Sequence, residues 1–231
     1  MSSERARAQP PARLWPLTPG LTAALVGACI GLGVAAGLVI HRLAEHGGPA
    51  VAASAVPVRP ALDGDAVWKA GARAAPGFAL HDQNGKLVSL AGQRGSVVLL
   101  AFMDSHCKLL CTLEGPTLHR VLGRLGDASS SVRLLVVSVN PWEDTAASSV
   151  NAGERWGFTG PWRWLRGTPA QLSPVWRGYG IEVKQAFGDV NHSSAIYLID
   201  RRGWERAGFN YPFPASRVTR DLRRLAAEPA S

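Results

Sequence analysis

The sequence predicts a mixed α/β fold, a largely parallel sheet with helices on both faces and an antiparallel edge. Three observations carry this reading. Val97 to Met103 and Val132 to Val139 are short, uniformly apolar runs with the length of buried strands. After the first of them, Leu118, Val121, Leu122 and Leu125 recur at helical spacing, and strands that alternate with helices pair in parallel. Late in the chain, Ala195 to Ile199 and Trp204 to Phe209 flank Asp200-Arg201-Arg202-Gly203, a hairpin that adds antiparallel pairing.

Taken in order, residues 1–20 are polar and proline-rich and carry Arg5, Arg7 and Arg13. Residues 21–40 contain no charge and, as a helix, reach roughly 30 Å, the thickness of a bilayer's hydrocarbon core. We read them as a transmembrane helix. The upstream arginines favour a cytoplasmic N-terminus, which places the rest of the chain outside the cytoplasm as a single-pass cell-membrane protein. Two alternatives are a cleaved signal peptide and a lipoprotein box at Val26-Gly27-Ala28-Cys29. The apolar run is longer than a signal core and continues well past Cys29. Residues 41–75, rich in Ala, Pro and Gly, read as a linker.

The folded domain is expected over 76–231. Phe78 to His81 and Leu87 to Leu90 flank Asn84-Gly85, a strong hairpin turn signal. The Val97 strand and its helix follow, then the Val132 strand, broken by Asn140-Pro141. Asp144 or Thr145 can cap a helix running to about Trp156. Trp162 to Leu165 is a third strand. Thr168 and Gln171 have capping-box spacing before Leu172, Val175, Trp176 and Tyr179. Val218, Leu222 and Leu225 give a final helix one apolar face.

Composition narrows the function. Hydrophobic residues make up 46% of the 231, as expected for a globular chain, and the net charge is +8. A basic balance suits an acidic partner or an anionic surface. No basic, aromatic-interleaved stretch resembles a nucleic-acid platform, so nucleic acid is not an expected partner.

The chemistry centres on Cys107 and Cys111. The Val97 strand ends at Asp104-Ser105-His106, and the two thiols follow where the helix begins. A helix N-terminus, with unpaired N–H groups and partial positive charge, favours thiolates. The pair reads as a redox couple or as a soft metal site for Cu(I) or Zn, and the motif alone does not separate these. A third ligand would decide. His41 and His46 fall in the linker, His81 in the first hairpin and His119 on the helix. His106 is adjacent to Cys107. His192 precedes the Ala195 strand, which should lie beside the Val97 strand, and its lead-in, Gly188-Asp189-Val190-Asn191, reads as a surface loop.

Residues 76–227 resemble the Sco/SenC family of membrane-anchored, copper-binding proteins. The resemblance rests on the N-terminal span, Asn84-Gly85-Lys86, the cysteines at Cys107 and Cys111, Val137-Ser138-Val139-Asn140-Pro141 with Asp144-Thr145, and Asn191-His192-Ser193-Ser194-Ala195 through Asp200. It implies a thioredoxin-like fold preceded by a transmembrane helix, and a copper ion held by Cys107, Cys111 and His192. It implies a metallochaperone that assists the binuclear copper centre of cytochrome c oxidase. Its partner would be the copper-bearing subunit, and no small-molecule substrate is expected. Thr112 stands where the family usually has proline, and Lys108-Leu109-Leu110 is more apolar than usual.

Two rival functions share the expected fold. A thiol–disulfide oxidoreductase would use Cys107 and Cys111 catalytically, although such pairs usually enclose two residues rather than three. A non-catalytic tethered binding module would present Trp156, Trp162, Trp164 and Trp176 as its surface, although these tryptophans are better suited to filling the core and helix edges.

Overall fold

The structure, a computed structural model, describes residues 61–186 and 189–229. The expected membrane span at 21–40, the box at Cys29 and the first part of the linker lie outside the described residues. Among those described, no helix is long and apolar enough to cross a membrane.

Among the described residues, ten strands and four α-helices succeed one another. They are β1 (Ala66–Val67), β2 (Ala79–His81), β3 (Leu87–Ser89), β4 (Val97–Met103), α1 (Cys111–Gly123), β5 (Val132–Ser138), α2 (Ala146–Arg155), β6 (Trp162–Leu165), α3 (Pro169–Gly178), β7 (Val183–Ala186), β8 (Asp189–His192), β9 (Ala195–Ile199), β10 (Glu205–Asn210) and α4 (Ala215–Ala226). Six strands form one sheet in the order β1-β10-β9-β4-β5-β6. β4, β5 and β6 are parallel, and β9 joins β4 antiparallel with Leu99 opposite Leu198. The mixed α/β architecture and the placement of the Ala195 strand beside the Val97 strand therefore match the expectation.

β4 is buried at all seven positions because both of its faces are covered. Val97, Leu99, Ala101 and Met103 face a core shared with Leu118 and Val121 of α1, Ala152 of α2, and Val218 and Leu222 of α4. Val98, Leu100 and Phe102 face a second core with Leu172, Val175 and Trp176 of α3, closed by Leu80 and Val88 of the β2–β3 hairpin. This is the sheet alternation of period two, applied to a strand with no solvent side. The hairpin turn forms as its sequence predicts. Gly85 takes φ +76°, and Asp82 Oδ1 accepts the N–H groups of Asn84 and Lys86, both at 2.9 Å.

Thr145 caps α2 and Thr168 caps α3, each in a reciprocal capping box, with Ser148 and Gln171 respectively. Pro174 lies inside α3 without ending it. Asp144, the other capping candidate, does something different. Its Oδ1 accepts the Ser105 N–H at 3.0 Å and the Ser105 hydroxyl at 2.5 Å. Its Oδ2 accepts the Ser138 hydroxyl at 2.5 Å and the Trp164 indole N–H at 3.3 Å. One buried carboxyl therefore ties together the C-terminal ends of β4, β5 and β6.

Three features differ from the sequence reading, and a fourth decides between two of its alternatives. The sheet begins before Pro76, because β1 pairs with β10 inside the segment read as linker. That segment is held by charge: the Asp63 N–H donates to Asp221 at 2.7 Å, and Arg220 pairs with Asp63 at 2.8 Å. Second, Val183–Ala186 and Asp189–His192 pair antiparallel as β7 and β8 where the sequence reads as a loop, so His192 ends a strand, opposite Val183. Third, β10 starts at Glu205, one residue after the expected Trp204. Fourth, the tryptophans are not a surface. Trp156, Trp164 and Trp176 are buried, Trp162 packs against the first core, and the Trp156 and Trp164 rings stack 5.9 Å apart. Trp156 also lies so close to α1 that a Cβ at Gly115 would come within 2.4 Å of its ring. These four tryptophans therefore do not form the surface that the rival binding module would use.

The Asp144 arrangement makes a direct prediction. Asp144→Ala strands buried donors from three segments and should lower stability by about 3 kcal/mol in a urea titration. A loss below about 1 kcal/mol would mean that the strand ends hold together without it.

Candidate metal centre

The polypeptide leaves β4 at Met103 and turns twice before α1. Asp104 directs the first turn, its Oδ1 accepting the His106 N–H at 2.8 Å and the Asn140 side-chain amide at 3.2 Å. Ser105 is fixed by Asp144 on one side, and its carbonyl accepts from Arg155 at 2.9 Å. Cys107 comes next, half-buried, and Cys111 opens α1, fully buried.

Leu110, at the N-cap of α1, offers no side-chain acceptor. The Cys107 sulfur takes that place and accepts the Cys111 N–H at 3.3 Å. A negative sulfur suits this position, where unpaired amides and the helix dipole converge. The Cys107 thiol is accordingly drawn down to about 6. The largest cause is a hydrogen bond from the Cys111 thiol, and the N–H groups of Cys111 and Leu109 add to it, against burial and the Asp104 charge. Cys111 is pushed up, because it donates that bond and is buried. The two thiols are thus unequal: an accessible one that ionises readily and a covered one that keeps its proton.

His192 reaches this pair from the far end of the sequence. Its Nε2 lies 3.8 Å from Cys111 Sγ. Its Nδ1 is 3.1 Å from the Ser193 carbonyl, which suits an Nδ1–H donor and leaves the Nε2 lone pair on the cysteine side. His106 turns the other way, its Nδ1 lying 3.2 Å from Ser105 Oγ and 3.8 Å from Asp144. His81 bridges to Arg166 at the edge of β6, and His119 meets the Gly157 carbonyl. Of the histidines described, the structure brings His192 to the cysteines.

Asp104, His106 and Asp144 also gather ligand atoms within 4.8 Å of one another. Both oxygens of Asp144 already accept protein donors, so this group reads as a hydrogen-bonded scaffold. Two residues near the thiols escaped the sequence reading. Glu114, three residues after Cys111, is completely buried, and burial pushes its carboxyl up to about 7. Ser194 donates to Glu114 Oε2 at 2.6 Å. Only their nearness in sequence to Cys111 and His192 could have flagged them.

A parallel β-α core with a cysteine pair at the strand–helix junction defines a thioredoxin-like thiol protein. The SCO1/SenC family model matches residues 68–227, and the chain belongs to that family. The mitochondrial SCO2 homologue of Bos taurus is 29% identical over 158 residues, which span 65% of this chain and 59% of that protein. The copper-bound structure of Bradyrhizobium japonicum ScoI is 30% identical, with a TM-score of 0.58 over 66% of this chain and 99% of its own. BsSco, a member of the Sco family of cytochrome c oxidase assembly proteins in which a disulfide switch was identified, is 21% identical, with a TM-score of 0.60 over 68% of this chain and 95% of its own.

The thiol asymmetry predicts a pH profile. In the reduced protein, iodoacetamide should modify Cys107 before Cys111, at a rate that rises with pH through about 6, as the thiolate forms. Cys111→Ala removes the donor and should move the midpoint up. A wild-type midpoint near the ordinary value of about 8.5 would overturn this account of the pair.

Proposed function

We propose that this protein is a membrane-tethered, extracytoplasmic copper metallochaperone and thiol protein that assists assembly of the binuclear copper centre of cytochrome c oxidase. The observation that carries this reading is the convergence of Cys107, Cys111 and His192 from segments about eighty residues apart in sequence. Two sulfurs and an imidazole are a donor set suited to Cu(I). A readily ionised Cys107 lowers the proton cost of loading it. Copper is the cargo here. Cys107 and Cys111 would hold it, with His192 as the third ligand.

The same sulfurs support the thiol-redox reading as a second activity. A half-buried thiolate at Cys107 is the attacking group and Cys111 the resolving one, and their disulfide would withdraw both sulfurs from metal. The partner reading, the copper-bearing oxidase subunit, has support beside the site. Leu109 and Leu113 are 74% and 59% exposed at successive turns around Cys111, an apolar rim against which a partner can pack.

The metal assignment is tested by competing a Cu(I) chelator against the reduced full chain in detergent. One copper per chain is expected. His192→Ala should weaken binding about tenfold or more, while His106→Ala should leave it near wild type. Loss confined to His106→Ala overturns the third ligand, and tight binding by a Cys107→Ser/Cys111→Ser variant overturns the copper site.

The location is tested in cells. Protease added outside spheroplasts should digest residues 76–231, and protection of that region until lysis would reverse the orientation.

A further inference from the structure

Glu114 has no part in the chemistry described so far, yet it is completely buried one helical turn beyond Cys111. Its Oε2 accepts the Ser194 hydroxyl at 2.6 Å, across 80 residues of sequence. Its Oε1 is buried with no hydrogen-bond partner among the described residues. A carboxyl left half-satisfied in a core destabilises the fold, and an apolar side chain at this position would avoid that cost.

The partner explains the placement. Ser194 follows His192 by two residues, in the turn between β8 and β9. That turn is otherwise tied to the sheet edges: the Ser193 N–H donates to the Glu182 carbonyl at 3.1 Å, and the Ser194 carbonyl accepts the Tyr211 N–H at 3.1 Å. Neither bond reaches α1. The Glu114–Ser194 bond does, and it runs parallel to the Cys111–His192 approach of 3.8 Å. A single short hydrogen bond thus spans the same gap as the metal site, from the same helix to the same turn.

We propose that Glu114 is a positioning residue, which through Ser194 fixes the separation between Cys111 and His192. The proposal rests on the reading of Cys107, Cys111 and His192 as one metal centre. Groups that orient metal ligands from behind are worth about tenfold to a hundredfold in affinity. Glu114 acts here on the spacing between ligand-bearing elements rather than on one ligand ring.

The test uses the reduced full chain in detergent, with Glu114→Leu, Glu114→Gln and Ser194→Ala. Three quantities are read: Cu(I) affinity by chelator competition, the rate at which diethyl pyrocarbonate modifies His192 in copper-free protein, and unfolding in urea. Glu114→Leu should unfold no more easily than wild type, yet bind Cu(I) about tenfold more weakly and expose His192 to faster modification. Ser194→Ala should change both readouts in the same direction. Glu114→Gln keeps an oxygen for Ser194 and should restore both. Wild-type affinity and wild-type His192 reactivity in Glu114→Leu and Ser194→Ala would overturn the proposal. If Glu114→Leu fails to fold, Ser194→Ala, which loses a single hydroxyl, decides alone. If wild type binds no Cu(I) but His192 reactivity still rises in the variants, the positioning role stands and the copper reading falls.

Discussion

Asp144 sits where the parallel strands end, its carboxyl enclosed by donors from Ser105, Ser138 and Trp164. Burial pushes this carboxyl up, against the pull of the Ser105 and Ser138 hydrogen bonds. The turn that carries Cys107 follows directly from Ser105, so the position of the first sulfur depends on a group 37 residues away in sequence. Arg155 holds the same turn through the Ser105 carbonyl, and Asn140 holds it through Asp104. The cysteine turn is therefore clamped to the end of β5 and to α2 by polar contacts, and the buried ones, from Asp144 and Asn140, are stronger than they would be at the surface.

Given that fixed turn, the helix supplies the electrostatics. The Cys107 sulfur completes the hydrogen bonding of the α1 N-terminus, a task that serine, threonine or aspartate usually performs. One interaction thereby does two things. It satisfies an otherwise unpaired amide, and it lowers the proton affinity of the exposed sulfur. Cys111, the first residue of the helix, is pushed the other way by the hydrogen bond it gives Cys107 and by its burial. Inequality between the thiols follows from the hydrogen bond that one gives the other and from their unequal burial. The His192 ring reaches Cys111 from the β8 end and is oriented by the Ser193 carbonyl at its other ring nitrogen.

Much of this was legible in the amino-acid order. The strands β4, β5, β6 and β9, the first hairpin, and the capping boxes at Thr145 and Thr168 are local patterns, set by apolar runs, turn residues and spacing over a few positions. The cysteine pair at the start of a helix is equally local. What stayed hidden is non-local or weakly patterned. β7 and β8 are only four residues each and, of their described side chains, only Val190 is buried, so no apolar alternation marks them. β1 has two exposed residues and is held by Asp63 contacts to α4, more than 150 residues later.

The sequence by itself determined the strands β4, β5, β6 and β9, the helices α1 to α4 and that two thiols stand at a helix N-terminus, because those properties depend on neighbours within a turn or two. The tertiary structure decided the rest. It brought the His192 ring to Cys111 and turned the His106 ring toward Ser105 and Asp144. It turned Asp144 from a capping candidate into the clasp of three strand ends. It also set Glu114 against Ser194, a contact that exists only because the sheet brings the two ends of the domain within one hydrogen bond of each other.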